Sequence, residues 1–285
     1  MESLNLALVY FSATDMTRTY ARIIRDEIHT CESSAKLIDV TSYSSRQNLL
    51  SFDNYDGVLF GFPVFADFPP AVFDDWLPAL DGKGKPAAMY FTYGGRTPGY
   101  AHYHTLELLK QGGFQVLFSA EFLARHSFNT FGWNAAANRP NEDDTDLARV
   151  YARLALEKFA LESPEPLVLQ RPFAYRLALE DHERMKASTE PRWAQPYRAA
   201  ETCSMCRLCE TECANQSFNA DTGLADPQTC IECLHCLYIC PDKVLVVGED
   251  VLHSYDAFLD HFNLTETMIN AKKSKLITEF WHTVI

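Results

Sequence analysis

Eight of the nine cysteines lie close together near the end of the chain, and they repeat one spacing. The first motif is Cys203, Cys206, Cys209 and Cys213, and the second motif is Cys230, Cys233, Cys236 and Cys240. Both read C-x2-C-x2-C-x3-C, and Pro241 follows the second motif. Cysteines at this interval aim three sulfurs at one iron–sulfur cluster, whereas the fourth ligates the other cluster. The spacing therefore predicts two [4Fe–4S] clusters, which pass electrons one at a time.

The crossing of the two motifs predicts which cysteines share a cluster. We predict a first ligand set of Cys203, Cys206, Cys209 and Cys240 and a second ligand set of Cys213, Cys230, Cys233 and Cys236. Two zinc sites are the alternative, but a zinc ribbon uses two C-x2-C pairs and has no need of a third cysteine at the same interval. His235 lies inside the second motif, yet each set already has four thiolates, so we do not expect it to be a ligand.

Residues 201–248 resemble the bacterial-type two-cluster ferredoxins, and the two cysteine motifs carry the resemblance. The resemblance implies a small α+β ferredoxin domain. One departure is Ala214, which follows the fourth cysteine of the first motif where the family often has proline. This change loosens the turn there but removes no ligand.

The elements before the cysteines alternate in character over residues 1–162. Apolar runs of strand length occupy residues 6–11, 35–40, 57–62, 86–92 and 115–122. Helical patterns follow the first strand and cover residues 71–80, 100–110 and 142–162, the last opened by Asn141. Strands that alternate with helices imply right-handed crossovers and a parallel sheet covered on both faces. We therefore predict an α/β fold, a doubly wound five-stranded parallel sheet.

Open α/β sheets bind ligands at the carboxyl ends of their strands. The loop after the first strand is Ser12, Ala13, Thr14, Asp15, Met16 and Thr17, and it leads into a helix. Hydroxyl groups and free backbone N–H groups at a helix start form a phosphate cradle. The alternative is that Ser12 or Thr14 is an N-cap and binds no ligand.

This part of the chain also resembles flavodoxins, whose first loop reads S/T-x-T-G-x-T. Ser12, Thr14 and Thr17 stand at its three hydroxyl positions. The segments that look like the two flavin-facing loops are Pro63, Val64, Phe65 and Ala66, and Thr92, Tyr93, Gly94, Gly95 and Arg96. The resemblance implies a flavodoxin-like domain with bound FMN, its phosphate on the first loop and its ring between the Phe65 and Tyr93 loops.

Two features of this domain leave alternatives open. Asp15 stands at the usual glycine position, where its carboxylate faces either the FMN phosphate or solvent. If it faces the phosphate, Asp15→Gly tightens FMN binding. The long loop after the fifth strand carries Phe128, Phe131 and Trp133, which cover the flavin, cover the cysteine-rich domain, or simply pack at the surface.

We predict four parts: a flavodoxin-like FMN domain over residues 1–162, a linker over 163–200 with a helix near 174–187, the ferredoxin domain over 201–248, and a helical extension over 249–285. The whole chain resembles the flavodoxin–ferredoxin fusion proteins of anaerobic bacteria and archaea. That resemblance implies electron relay between the clusters and FMN. The alternatives are a flavin-dependent reductase of a small molecule fed by the clusters, and a flavin-free ferredoxin with a docking domain. We predict no catalytic residue.

Length and charge narrow the function classes. The chain has 285 residues, and its net charge of −13 argues against nucleic acid or an anionic membrane as the main partner. The charge suits redox protein partners with a basic docking face, and ordinary solubility explains it as well. No stretch approaches the ~20 apolar residues of a membrane helix, and no signal peptide is evident. We therefore expect a cytoplasmic protein without a membrane span, and a homodimer is left open.

Overall fold

The computed structural model describes residues 3–188, 190 and 193–278. The strands of its main sheet are β1 (Asn5–Tyr10), β2 (Ser34–Asp39), β3 (Gly57–Pro63), β4 (Pro86–Tyr93), β5 (Gln115–Leu123) and β10 (Lys275–Ile277). They lie in the order β10-β5-β4-β3-β1-β2, and the first five strands are parallel. The order 2-1-3-4-5 is that of flavodoxin-like doubly wound sheets. The predicted α/β flavodoxin-like fold is therefore confirmed.

The sheet has one strand more than the predicted five. Strand β10 comes from the C-terminal extension, which the sequence predicts to be helical, and it pairs antiparallel with β5. Its Leu276 and Ile277 pack against the two faces of the sheet. Strand β10 therefore covers the edge of the sheet at β5. The prediction for residues 279–285 lies outside the described residues.

Helices cover the sheet unevenly. Helices α1 (Met16–Thr30) and α3 (Glu142–Phe159) pack on one face, where α1 buries Tyr20, Ile24 and Ile28 at helical spacing. A reciprocal capping box between Asn141 and Asp144 opens α3. Helix α2 (Ala101–Gln111) packs on the other face.

The predicted helix over residues 71–80 is wrong. Only the short 3-10 turn Ala71–Phe73 forms, and irregular turns follow it. The apolar side chains that give the helical spacing are Phe73, Trp76, Leu77 and Leu80, and all of them pack against the sheet. Irregular turns can bury side chains at this spacing as well as a helix does. The Asp74 carboxylate, within the segment, accepts hydrogen bonds from residues of other elements.

The eight cysteines of the two motifs lie in a second, smaller unit with its own buried core. Its four short antiparallel strands are β6 (Tyr197–Arg198), β7 (Phe218–Asn219), β8 (Leu224–Ala225) and β9 (Leu245–Val246), in the order β7-β8-β6-β9. Its helices are α5 (Leu208–Thr211) and α6 (His235–Ile239). Helix α4 (Tyr175–Ala187) precedes this cysteine-rich unit, and α7 (Glu249–Leu252), α8 (Tyr255–His261) and α9 (Glu266–Asn270) follow it.

The two cysteine motifs share one backbone conformation as well as one spacing. Within the cysteine-rich unit, the non-glycine residues with a left-handed backbone form three pairs, each 27 positions apart: Met205 and Glu232, Arg207 and Leu234, and Gln216 and Lys243. Such conformations are sparse outside glycine. Their recurrence at matching positions shows that the two halves of the cysteine-rich unit are structural copies.

The cysteine-rich unit packs directly on the main sheet. Ala214 and Cys233 belong to the same buried cluster as Phe11 and Phe73 of the flavodoxin-like part. Ala214 therefore occupies an interface rather than an open turn. None of the described helices has both the length and the apolar character that crossing a membrane requires.

Candidate functional site

Two small cavities in the cysteine-rich unit gather the cysteines as the crossed pattern predicts. Cys203, Cys206, Cys209 and Cys240 line one cavity of about 20 Å³. Cys213, Cys230, Cys233 and Cys236 line the other, also of about 20 Å³. All are free cysteines. Within the described residues, no group of His, Cys, Asp or Glu side chains is arranged to hold a single metal ion. The ligand role of the two sets stays a prediction.

The two sets differ in their surroundings. Cys206 of the first ligand set is exposed, whereas the second ligand set is largely buried. Burial raises the pKa of the Cys233 thiol to about 12, and the nearby Cys230 and Cys213 add to the effect. The backbone N–H of Ser217 donates to Cys213 Sγ at 3.2 Å. Hydrogen bonds of this kind to sulfur are one of the means by which a protein adjusts a cluster's potential.

The three predicted flavin loops meet around one cavity of about 40 Å³. The predicted residues that line it are Ser12, Ala13, Thr14, Met16, Thr17, Pro63, Val64, Phe65, Thr92, Tyr93 and Gly94. Thr17 and Thr92 join two of the loops through a hydroxyl hydrogen bond of 2.8 Å. Ala66 and Arg96 line the larger cavity next to it. Gly95 lines neither cavity, and its backbone has a φ of +91°.

Asp15 does not face this cavity. Its Oδ1 accepts a hydrogen bond from Arg18 Nη1 at 3.0 Å, and Arg18 also donates to Asp39 Oδ2 at 2.6 Å. The backbone at Asp15 is left-handed, with a φ of 69°. This conformation explains why glycine suits the position, and aspartate is among the residues that tolerate it. The interpretation in which the Asp15 carboxylate repels a phosphate is therefore corrected, because Arg18 holds that carboxylate.

A larger cavity of about 810 Å³ adjoins the flavin loops. It shares with the smaller cavity the residues Val64, Phe65, Tyr93, Gly94, His126 and Ser127. Its remaining walls come in part from segments 43–47, 66–79 and 96–97 and the loop after β5. The other walls come from α4, Trp193, the cysteine-rich unit and the segment 258–262. The large cavity thus lies where the flavodoxin-like part meets the rest of the chain.

The loop after β5 both lines the large cavity and contacts the cysteine-rich unit. Phe128 and Trp133 are wall residues, while Phe128 and Phe131 also pack against the core of that unit. Trp133 Nε1 donates to the Val251 carbonyl at 3.3 Å. Of the alternatives left open for this loop, the contact with the cysteine-rich unit is the one that the structure shows.

His126 fixes the start of that loop. Burial lowers the pKa of His126 to about 4, with a smaller contribution from Arg96, so its imidazole is neutral. Its Nδ1 accepts a hydrogen bond from the Phe128 N–H at 3.2 Å. A Cβ at Gly94 would lie 2.4 Å from the His126 ring, so only glycine permits this approach.

The second cysteine motif touches the first flavin loop directly. His235 Nδ1 lies 2.8 Å from the carbonyl oxygen of Ala13. Burial lowers the pKa of His235, and because a carbonyl only accepts, Nδ1–H is the donor. His235 stands between Cys233 and Cys236, so one hydrogen bond joins the second ligand set to the predicted phosphate loop.

Arg46 forms a second bridge between these parts. Its buried guanidinium donates to the carbonyls of Val40, Thr41 and Ser42, and to that of Ala214, next to Cys213. Burial lowers the pKa of Arg46 to about 10, and the neighbouring Cys233 and Cys213 act in the opposite direction. The side chain therefore stays a buried cation at neutral pH.

A third buried group ties α4 to the flavodoxin-like part. The Asp74 carboxylate accepts hydrogen bonds from His104 and His182 at 3.0 Å each and from Lys186 at 2.9 Å. Burial acts to raise the pKa of Asp74, but these three bonds outweigh it and hold the pKa well below its usual range. His182 and Lys186 also line the large cavity.

Sequence reasoning misses the residues that other parts of the chain bring to this region. They are Arg46, His126, His182, Lys186, Trp193, Phe258 and Phe262. No spacing or motif marks them, because each meets the flavin loops only through tertiary packing. A histidine four residues before a lysine, as in α4, is too common a pattern to have singled out His182 and Lys186.

Comparison with known proteins finds similar solved structures for the first part of the chain. No protein-family model and no curated protein matches. Among solved structures, a flavodoxin from the domain Archaea is similar, with 18% identity over 55% of this chain and 100% of its own, at a TM-score of 0.42. The flavodoxin of Streptococcus pneumoniae TIGR4 has 14% identity over 54% of this chain and 99% of its own, at a TM-score of 0.42.

A third similar structure is the rubredoxin oxygen:oxidoreductase from the anaerobe Desulfovibrio gigas. It has 16% identity over 55% of this chain, at a TM-score of 0.39, and this chain covers 37% of its length. The assignment of the fold rests on the strand order described above.

Proposed function

We propose that this protein relays electrons between an external redox protein and a bound FMN by way of two [4Fe–4S] clusters. The observation that carries the proposal is the 2.8 Å hydrogen bond between His235 and Ala13. It places the second ligand set against the loop that we propose holds the FMN phosphate. The chemistry comes from the cofactors: a cluster passes one electron at a time, and a flavin takes up one or two.

The arrangement of the cysteines supports the cluster part of the proposal. Each ligand set gathers four sulfurs around its own cavity. The left-handed residues Met205 and Arg207, and their copies Glu232 and Leu234, curl the backbone around these cavities. Consecutive N–H groups in such turns form a concave surface that suits an anionic group. The chain would thereby hold both clusters and donate hydrogen bonds to their sulfurs.

The loops support the flavin part. The hydroxyl-rich loop after β1, the Phe65 loop and the Tyr93 loop converge at the carboxyl ends of three neighbouring strands. Ligands bind at this edge in open α/β sheets, where the strand order switches. Arg18 neutralises Asp15, which removes the feature that favoured a flavin-free docking domain. We retain the domain limits of the sequence analysis as part of this proposal.

The two ligand sets suggest a route. Around the exposed Cys206, the surface presents Met205 and Leu208 together with acidic side chains. These are Asp242, which accepts hydrogen bonds from Ser204, and Glu210 and Asp221, which share one cation, Arg207, and so keep a net negative charge. A redox protein with a basic face would dock there, and electrons would then pass through the first and the second cluster to the flavin. We place this activity in a reducing cytoplasm, because eight of the nine cysteines would serve as cluster ligands rather than as disulfide partners.

Cofactor content tests the proposal. The protein is purified anaerobically, and iron, acid-labile sulfide, zinc and extracted flavin are counted per chain. We expect about eight irons, about eight sulfides and one FMN, as two [4Fe–4S] clusters require. Zinc without sulfide would overturn the cluster assignment. Eight irons without flavin would leave a two-cluster ferredoxin on a docking domain.

A further inference from the structure

The large cavity offers more room than a flavin ring fills. Its volume is about 810 Å³, near the upper end of the roughly 300–1,000 Å³ of small-molecule sites. The proposed phosphate site is the separate cavity formed by the loop after β1, so only the ring and part of its chain would enter the large one. Space for a second molecule therefore remains beside the flavin.

This space is bordered by parts of the chain that a flavodoxin-like sheet does not need. The lining includes Met185 and Lys186 of α4, Thr229 and Ile231 of the cysteine-rich unit, and Phe258 of α8. These elements border the side of the cavity where a flavin ring would lie, so a small molecule in the cavity would contact the ring directly.

One end of the cavity is aromatic. The ring centroids of Phe128 and Trp193 are 5.6 Å apart, and those of Trp133 and Phe258 are 4.9 Å apart. Trp193 belongs to the linker and is about half exposed, so it stands where the cavity opens. Aromatic side chains in such contacts favour a planar, conjugated ligand.

The basic groups of the wall already have partners within the protein, and the buried Arg46 among them donates to four backbone carbonyls. Arg96 pairs with Asp67 and lies over the ring of Phe262. Lys186 pairs with Asp74 at 2.9 Å, and the Glu232 carboxylate accepts the N–H of Ala194. An anionic ligand would have to compete with these carboxylates for Arg96 or Lys186. The cavity is therefore suited to an uncharged molecule.

We propose that the large cavity binds a planar, uncharged aromatic electron acceptor of the quinone class and that the protein reduces it. Each quinone takes up two electrons and two protons and becomes the hydroquinone. The electrons come one at a time from a low-potential one-electron donor through the clusters and the flavin, and the protons come from solvent. This inference rests on the proposed function, because it requires the bound flavin.

The test uses the full-length holoprotein, with iron and flavin counted. Menadione is titrated under anaerobic conditions and followed by the flavin absorption spectrum, and its steady-state reduction is measured with titanium(III) citrate as donor. The planar anion 1,2-naphthoquinone-4-sulfonate serves as the charged comparison. Trp193→Ala and Phe258→Ala each remove one aromatic side chain from the lining of the cavity. Phe173→Ala is the matched control, because Phe173 is a fully exposed linker aromatic outside the cavity.

We expect saturable menadione binding and, in each wall variant with full iron and flavin, a Kd and a KM raised about tenfold. The control should match the unaltered protein, and the sulfonate should bind at least about tenfold more weakly than menadione.

Three results would overturn the inference. Equal constants in all variants would show that menadione does not use this cavity, and so would a sulfonate bound as tightly as menadione. Protein that holds eight irons and FMN and reduces cytochrome c, but does not bind menadione, would overturn the inference and leave the relay standing. Protein without FMN would overturn both.

Discussion

The two cysteine ligand sets have the same spacing and the same backbone conformation but different surroundings. The first ligand set reaches the surface at Cys206, whereas the second is largely buried against the main sheet. Arg46 and His235 both bridge the second set to the flavodoxin-like part. The equivalent of His235 in the first motif is Leu208, which is exposed. On the proposed function, the duplicated motif would hold two similar clusters, and the difference in packing would give them separate roles, one for uptake and one for delivery.

Removal of one ligand from each set gives the largest expected effect. Cys206→Ala should lower the iron content from about eight to about four per chain and leave FMN near one. Cys233→Ala should lose the second cluster. It should also weaken FMN binding, because the hydrogen bond between His235 and the Ala13 carbonyl lies beside Cys233. Iron, sulfide and flavin analysis of both variants measures this. Loss of FMN in Cys206→Ala would show that the two sets do not have separate roles.

The positive charge of Arg46 should make the reduction potential of the second cluster differ from that of the first cluster. A buried cation stabilises the more negative, reduced state of a nearby cluster, so Arg46→Gln should lower the potential of the second cluster by on the order of 100 mV. Arg46→Lys keeps the charge and should shift it much less. Potentiometry followed by electron paramagnetic resonance measures both clusters.

The matched control for this prediction is Arg207→Gln. Arg207 lies within the first motif, but its guanidinium pairs with Asp221 and Glu210 at the surface, where solvent screens its charge. We expect Arg207→Gln to shift the reduction potential of the first cluster several times less than Arg46→Gln shifts that of the second cluster. Equal shifts in the two variants would mean that burial does not distinguish the clusters.

His235→Leu makes the second motif a copy of the first at this position. The change leaves the Ala13 carbonyl without its donor, which costs about 1 kcal/mol and should weaken FMN binding about fivefold to tenfold. Transfer from cluster to flavin should slow as well, as measured by stopped-flow reduction. Leu208→His is the reciprocal control, and it should leave both quantities unaltered.

Asp15→Gly should have the smallest effect. Because Arg18 already holds the Asp15 carboxylate, we expect the Kd of FMN to change by less than about threefold, or under about 0.7 kcal/mol. Fluorescence titration of the flavin-stripped protein measures it. A tenfold gain in affinity would restore the interpretation in which Asp15 repels the phosphate.

The part of the fold that could be predicted depends on local pattern. The continuous apolar run of β3 and the capping residue Asn141 of α3 both lie where the sequence predicts them. The segment 71–80 fails because its apolar spacing serves a turn as well as a helix. Strand β10 is missed because three residues form a strand only when an edge is available to pair with.

The sequence by itself determined the grouping of the cysteines and the class of the sheet, because both follow from spacing over a few residues. Only the tertiary structure decided which ligand set is buried, where Asp15 points and what encloses the large cavity. Arg46 meets Ala214 across 168 positions of the chain, and His235 meets Ala13 across 222. Contacts of this span leave no local pattern, because they arise only when two folded units pack against each other.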